Sequence, residues 1–142
     1  MAKIKIFLDS DVIIASLLSQ TGAANAIVNN TDLISFISNF SHEELNRIVG
    51  KLGADKSKLA RLIKSRLKTI KLKLSNNKIL DKFEDYAYDK DDAHIIAGAK
   101  EAKAKFLVTF NTKDYKIDKI YQDFDIRVIL PGGLMQYLRS LE

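Results

Sequence analysis

Residues 89–115 read DKDDAHIIAGAKEAKAKFLVTFNTKDY, and this stretch decides the fold. Three acids, Asp89, Asp91 and Asp92, precede a run of small and apolar residues that reads as a helix over about 92–103. An apolar strand follows over 106–109, and Thr109, Asn111 and Asp114 come just past its end. A buried helix that delivers the chain into an apolar strand is the repeating half of a parallel α/β sheet, where ligands sit beyond the carboxyl ends of the strands. The stretch therefore brings acids to one sheet edge, and further acids are to be sought upstream.

Working outward, residues 4–8 read as a buried parallel strand that ends at Asp9, with Asp11 two places later. Residues 12–18 and 22–30 read as helices separated by a break at Gly22, and 33–38 as the next strand. From Ser41 a helix carries Leu45, Ile48, Val49 and Leu52 on one face. Another is expected over 55–70, with Leu59, Leu62, Ile63, Leu67 and Ile70 inside and Lys56, Lys58, Arg61, Lys64 and Lys68 outside. Residues 72–85 fit a short strand or a short helix equally. A last strand over 127–130, a turn at Pro131 and Gly132, and a closing helix over 133–141 complete the alternation. The fold class expected is an α/β three-layer sandwich around a central, mainly parallel sheet, with residues 1–142 as one domain.

Composition narrows the chemistry. With 142 residues, 46% of them hydrophobic, the chain can bury a core. Cysteine is absent and histidine occurs twice, so thiolate metal sites are excluded and carboxylates are the plentiful ligands. Such oxygen donors favour hard cations, Mg²⁺ or Mn²⁺. The net charge of +5 suits a polyanionic partner. Asp9 interrupts the first apolar run, so neither a signal peptide nor a membrane span is expected, and the cytoplasm is the expected location.

Each acid has an ordinary structural reading. Ser41 and Glu44 form a capping-box pattern, Asp91 and Asp92 suit a helix N-terminus, Asp9 or Ser10 suits a cap, and Asn111 to Asp114 suits a turn. Together they repel. Two unit charges at ~4 Å cost about 4 kcal/mol at an effective dielectric of 20, which a cation or proton uptake must relieve. At about 100° per residue, Glu44 lies on the flank of its helix and Glu43 points to water. Asp92 leads directly into the small-residue helix and is preferred over Asp91. His42 and His94 read as helix histidines near acids, the lysine-rich outer face as a solvated surface, and Tyr86, Tyr88 and Tyr115 as core-edge rings that could also stack on bases.

Four segments carry a resemblance to the PIN domain family of metal-dependent ribonucleases, including the VapC-type toxins. KIFLDSDVII resembles the opening strand and first acid, Asp9; SHEEL resembles the second motif, giving Glu44. DDAHIIAGA resembles the third, giving Asp92, and LVTFNTKDY the fourth, giving Thr109, Asn111 and Asp114. The resemblance implies Asp9, Glu44, Asp92 and Asp114 as ligands of Mg²⁺ or Mn²⁺, with Thr109 and Asn111 as orienting neighbours. It also implies RNA as substrate; a small antitoxin and self-association are the protein partners expected, with no membrane contact. Asp11 stands where many members have asparagine, which leaves its role open.

Two other readings compete. DSDV also resembles the first motif of haloacid-dehalogenase-type phosphatases, although no later strand ends in the acidic pair that family needs. A PIN-like module that only binds RNA or protein is the non-enzymatic alternative.

Overall fold

The computed structural model describes residues 2–142. Five strands, β1 (Ile4–Leu8), β2 (Leu33–Ser38), β3 (Leu67–Ile70), β4 (Phe106–Val108) and β5 (Arg127–Ile129), form one sheet in the order β3-β2-β1-β4-β5. Every adjacent pair is parallel. The chain leaves β1 toward β2 on one side and returns to place β4 on the other. The sheet order therefore reverses beside β1, where a crevice opens at the carboxyl ends of β1 and β4.

Side chains alternate across this sheet as the strand pleat requires. Ile6, Leu8, Phe106 and Val108 face one core, under α1 (Ser10–Leu18), α2 (Ala23–Val28), α3 (Asn39–Leu52), α4 (Lys56–Arg66) and α8 (Pro131–Ser140). Phe7 and Leu107 face the other, under α5 (Asn76–Phe83), α6 (Ala93–Glu101) and α7 (Ile117–Phe124). The result is the three-layer α/β arrangement expected from the alternation of strands and helices.

Four local expectations are corrected. The helix expected over 55–70 stops at Arg66, and Leu67–Ile70 pairs with β2 as an edge strand. The Leu67 and Ile70 spacing continues a helical period, so periodicity could not expose the change. The ambiguous 72–85 region contains α5 rather than a strand. Ser41 does not cap its helix: Ser38 does, accepting from the Ser41 amide at 3.2 Å, and Ser41 is buried one turn in. Helix α7, with Ile117, Ile120, Tyr121 and Phe124 at helical spacing, is an element that the sequence reading does not include.

Helix α6 lies close on the sheet because its inner residues are small. A methyl group at Gly98 would fall inside the van der Waals radius of the Phe7 ring, which is wholly buried in the central strand. Gly98→Ala should therefore destabilise the protein by about 1–3 kcal/mol through overpacking. A thermal melt checks this, and Phe7→Leu in the same chain should recover part of the loss.

Candidate active site

Asp9 ends β1 and caps α1. Its Oδ1 accepts from the Ser10 amide at 2.8 Å, while its own amide donates to Val108 O at 3.0 Å and ties it to β4. The Oδ2 accepts from the Tyr115 hydroxyl at 2.7 Å and from Thr109 Oγ1 at 3.0 Å. Thr109 is buried beneath the cavity and in turn accepts from the Asn111 amide at 3.0 Å. Asp11 faces the same place from the first turn of α1. Its Oδ2 accepts from the Phe110 amide at 3.0 Å and from Asn111 Nδ2 at 2.9 Å, which staples the loop after β4 to α1.

Glu44 comes from α3 and Asp92 from the 3-10 turn Lys90–Asp92 that precedes α6. Asp114 comes from the 3-10 turn Thr112–Asp114. A short antiparallel clip sets the last two relative to one another. Ala87 bridges Tyr115, the Tyr88 amide donates to Asp114 O, and the Lys116 amide donates to Tyr86 O, both at 3.0 Å. A cavity of about 460 Å³ results, lined by Asp9, Ser10, Asp11, Glu44, Asp92, Asn111 and Asp114, with Ile14, Ala15, Leu18 and Ile48 as its apolar side. Glu43 and Asp91 are exposed and outside this lining. Asp89 spends its carboxylate on the Asp91 amide at 2.9 Å, a capping role.

Like charges close together and partly out of water hold their protons more tightly. Burial raises the Asp9 carboxyl above its ordinary value, with Tyr115 and Thr109 opposing the shift. Burial and then the Asp9 charge push Asp11 up to about 6, and burial followed by Asp9, Asp89 and Asp114 pushes Asp92 up to about 6. Glu44 moves the other way, held below its usual range chiefly by His94, whose Nε2 lies 3.6 Å from Glu44 Oε2. The His94 ring stacks on Phe40 with centroids 5.9 Å apart.

Two residues of this network are not assigned a role by sequence reasoning. Tyr115 is 2% exposed and cannot stack on a base; its hydroxyl serves Asp9. Tyr86 likewise packs on Phe124 and donates to Asp123, while Tyr88 is exposed. His94 reaches Glu44 from the next layer, while His42 is not part of the lining. No sequence signal marks either contact, because the Tyr115 partner lies 106 positions away.

The donor set fits a hard divalent cation in kind: carboxylate and amide oxygens, and two buried polar atoms, Asp11 Oδ1 and Ser10 Oγ, without a protein partner. Among the described residues, no three His, Asp or Glu side chains stand as a group that could hold an ion. Both Asp9 oxygens and Asp11 Oδ2 are turned to the hydrogen bonds above. Magnesium tolerates this, since it commonly keeps several waters and takes only one or two carboxylates.

A parallel α/β sheet whose order reverses over an acidic cavity defines a class of ligand-binding and hydrolytic folds. The comparison with known families is more specific: the PIN domain model matches residues 5–113, and the chain belongs to the PIN domain family, a nuclease and toxin family. That match covers Asp9, Asp11, Glu44, Asp92, Thr109 and Asn111 and ends one residue before Asp114. Among solved structures, the chain is similar to one in the crystal structure of VapBC2 from Rickettsia felis bound to a DNA fragment from their promoter. The two are 18% identical with a TM-score of 0.63, over 89% of this chain and 98% of that one, which is a likeness of fold. No curated protein sequence matches. The family match sets the phosphatase reading aside. No helix among the described residues is long and apolar enough to cross a membrane.

The raised carboxyls give stability an unusual pH dependence. An acid whose folded pKa lies above its unfolded value contributes stability that is complete below the unfolded value and is lost as pH rises through the folded one. For Asp11 and Asp92 that loss runs from about 4 to beyond 6. Glu44 has the opposite sign, but its contribution fades only below its ordinary 4.5. In EDTA the melting temperature should therefore fall between pH 5 and 7, and Asp92→Asn should flatten the fall. Melts in chelator at several pH values test this; a rising curve would contradict the electrostatic reading.

Tyr115→Phe keeps the ring packing and removes the hydroxyl that holds Asp9. It should weaken the Mn²⁺-induced rise in melting temperature, with apparent metal affinity lower by roughly 10–100-fold. A Mn²⁺ titration followed by thermal melting reads this directly.

Proposed function

We propose that this chain is a divalent-metal-dependent ribonuclease that hydrolyses phosphodiester bonds at the cavity at the end of β1 and β4. The single observation that supports this most is the gathering of Asp9, Asp11, Glu44, Asp92 and Asp114 around one cavity in a protein of net charge +5. Bare carboxylates would repel a phosphate, so the cavity suits a phosphodiester only with a cation between them.

The ligands proposed for Mg²⁺ or Mn²⁺ are Asp9, Glu44, Asp92 and Asp114, with Asp11 contributing its free Oδ1. Such an ion supplies charge neutralisation at the phosphate and activation of water for hydrolysis. The protein residues do the positioning. Tyr115 and Thr109 fix the Asp9 carboxylate, and Asn111 fixes Asp11 and offers a donor face to a ligand. His94, 3.6 Å away, steadies the Glu44 carboxylate and holds its carboxyl below the usual range. PIN family membership supports RNA as the substrate in this reading, and a cytoplasmic setting goes with it. The fold shared with a VapBC2 chain supports a toxin role, with a small antitoxin protein covering the cavity and a self-associated form of the toxin.

A second reading has its own observation. Asp9 and Asp11 are engaged by protein donors and the acids form no ready ion-holding group among the described residues, as a module that only binds RNA would allow.

Cleavage separates the two. Purified protein should cut single-stranded RNA with Mg²⁺ or Mn²⁺ and not in EDTA, and Asp9→Asn should lower the rate by about a hundredfold or more. Glu44→Gln and Asp92→Asn should cost far more than Glu43→Gln and Asp91→Asn. No metal-dependent cleavage of a broad RNA panel, with Asp9→Asn matching wild type, would leave the binding module standing.

A further inference from the structure

Helix α1 is a wall between two cavities. Ile14, Ala15 and Leu18 face the acidic one, whereas Ser16 and Leu17 line a second of about 510 Å³, closed on its other sides by α2 and α4. We infer that this second cleft binds the phosphodiester backbone of RNA running out of the acidic cavity; the inference deepens the ribonuclease reading and rests on it.

The face that α4 turns to the cleft carries the argument. Lys58, Arg61, Leu62, Ser65 and Arg66 follow the spacing i, i+3, i+4, i+7, i+8, which in a packed helix is the apolar stripe. Here three of the five positions are cationic. Across the cleft α2 presents Asn25 and Asn29, one turn apart, and no carboxylate lines it. The lysine-rich face of the sequence is thus divided: Lys58 and Arg61 join Arg66 in the cleft, while Lys64 and Lys68 stay outside its lining.

These cations are uncommitted to acids. The 3.6 Å contact between His94 and Glu44 is the only approach of a basic to an acidic side chain at ion-pair distance among the described residues. Lys58 Nζ donates to Leu17 O at 3.1 Å, which fixes it at the end of α1 with protons to spare. The nearby Asp55 spends its carboxylate on capping α4, through Ser57 and Lys58. Two guanidinium forks suit phosphate oxygens, which accept bidentate hydrogen bonds. An acidic peptide is the less suited occupant, because the cleft offers no aromatic residue and only Leu17 and Leu62 as apolar anchors.

The cleft at the opposite end of the sheet shows the contrast. It is lined by Lys100, Lys105 and Arg127 but also by Asp123 and Asp125. Lys100, Lys105 and Arg127 lie over rings or donate to tyrosine hydroxyls, Lys105 to Tyr137 at 2.7 Å, while Lys103 also lines the cleft.

The test is binding without cleavage. Fluorescence anisotropy in EDTA would follow a labelled single-stranded RNA of about 15 nucleotides as salt is raised. The variant R61Q/R66Q should lower affinity by about tenfold and reduce the salt slope by about 0.7 for each lost phosphate contact. The control K64Q/K68Q removes the same charge outside the cleft and should change both little. All four positions are exposed, and matching melts would show that folding is intact. Equal losses in the two variants would overturn the proposal, as would an unchanged salt slope in R61Q/R66Q. Displacement of the RNA by polyglutamate at matched charge would also overturn it, in favour of a protein partner. Absence of hydrolysis with Mg²⁺ would remove the nuclease reading without altering the binding result, so the two failures are distinguishable.

Discussion

The Asp9 carboxylate, half-buried at the end of the central strand, is the constraint around which the rest is arranged. Its partners come from the far end of the sequence: Thr109 Oγ1 and the Tyr115 hydroxyl lie 100 and 106 positions away. A buried charge without donors costs several kcal/mol, so the β1–β4 pairing that brings those hydroxyls up is also what makes Asp9 tolerable. The same pairing produces the reversal in strand order and hence the crevice. Fold and site therefore share one set of contacts.

How much of this was legible depended on the range of the interaction. Strands β1, β2, β4 and β5 could be read because each is a local apolar run ended by polar residues. Strand β3 could not, since a four-residue edge strand following a helix kept the helical spacing through Leu67 and Ile70. Ser38 and Ser41 are both good caps three places apart, and sequence does not rank them; the strand geometry of Ser38 selects it. At the site, the choice of Glu44 over Glu43 rested on helical angle, and the structure puts Glu44 in the lining and Glu43 outside. Tyr115 and His94 were beyond reach because their partners are distant in sequence and their residue types are ordinary where they stand.

The distribution of charge is more ordered than the overall balance suggests. Acids collect on one side of α1 and unpaired cations on the other, with a single helix between them. Surface charges in a small protein usually neutralise one another at short range; here no lysine or arginine pairs with a carboxylate among the described residues. The separation leaves a field across α1 that a neutral or well-paired surface would lack.

The short clip between residues 86–88 and 114–116 has a consequence for motion. It sews the turn bearing Asp114 to the segment leading into Asp92, and both are sewn to the sheet through Tyr115 and Asp9. Glu44 has no such stitching; it stands on α3, steadied by a 3.6 Å contact with His94. The two flanks are thus held differently, one by main-chain hydrogen bonds and the other by the packing of α3, whose Leu45 and Val49 are fully buried. A shift of backbone in either 86–88 or 114–116 is therefore carried to both Asp92 and Asp114, whereas Glu44 shifts only with α3.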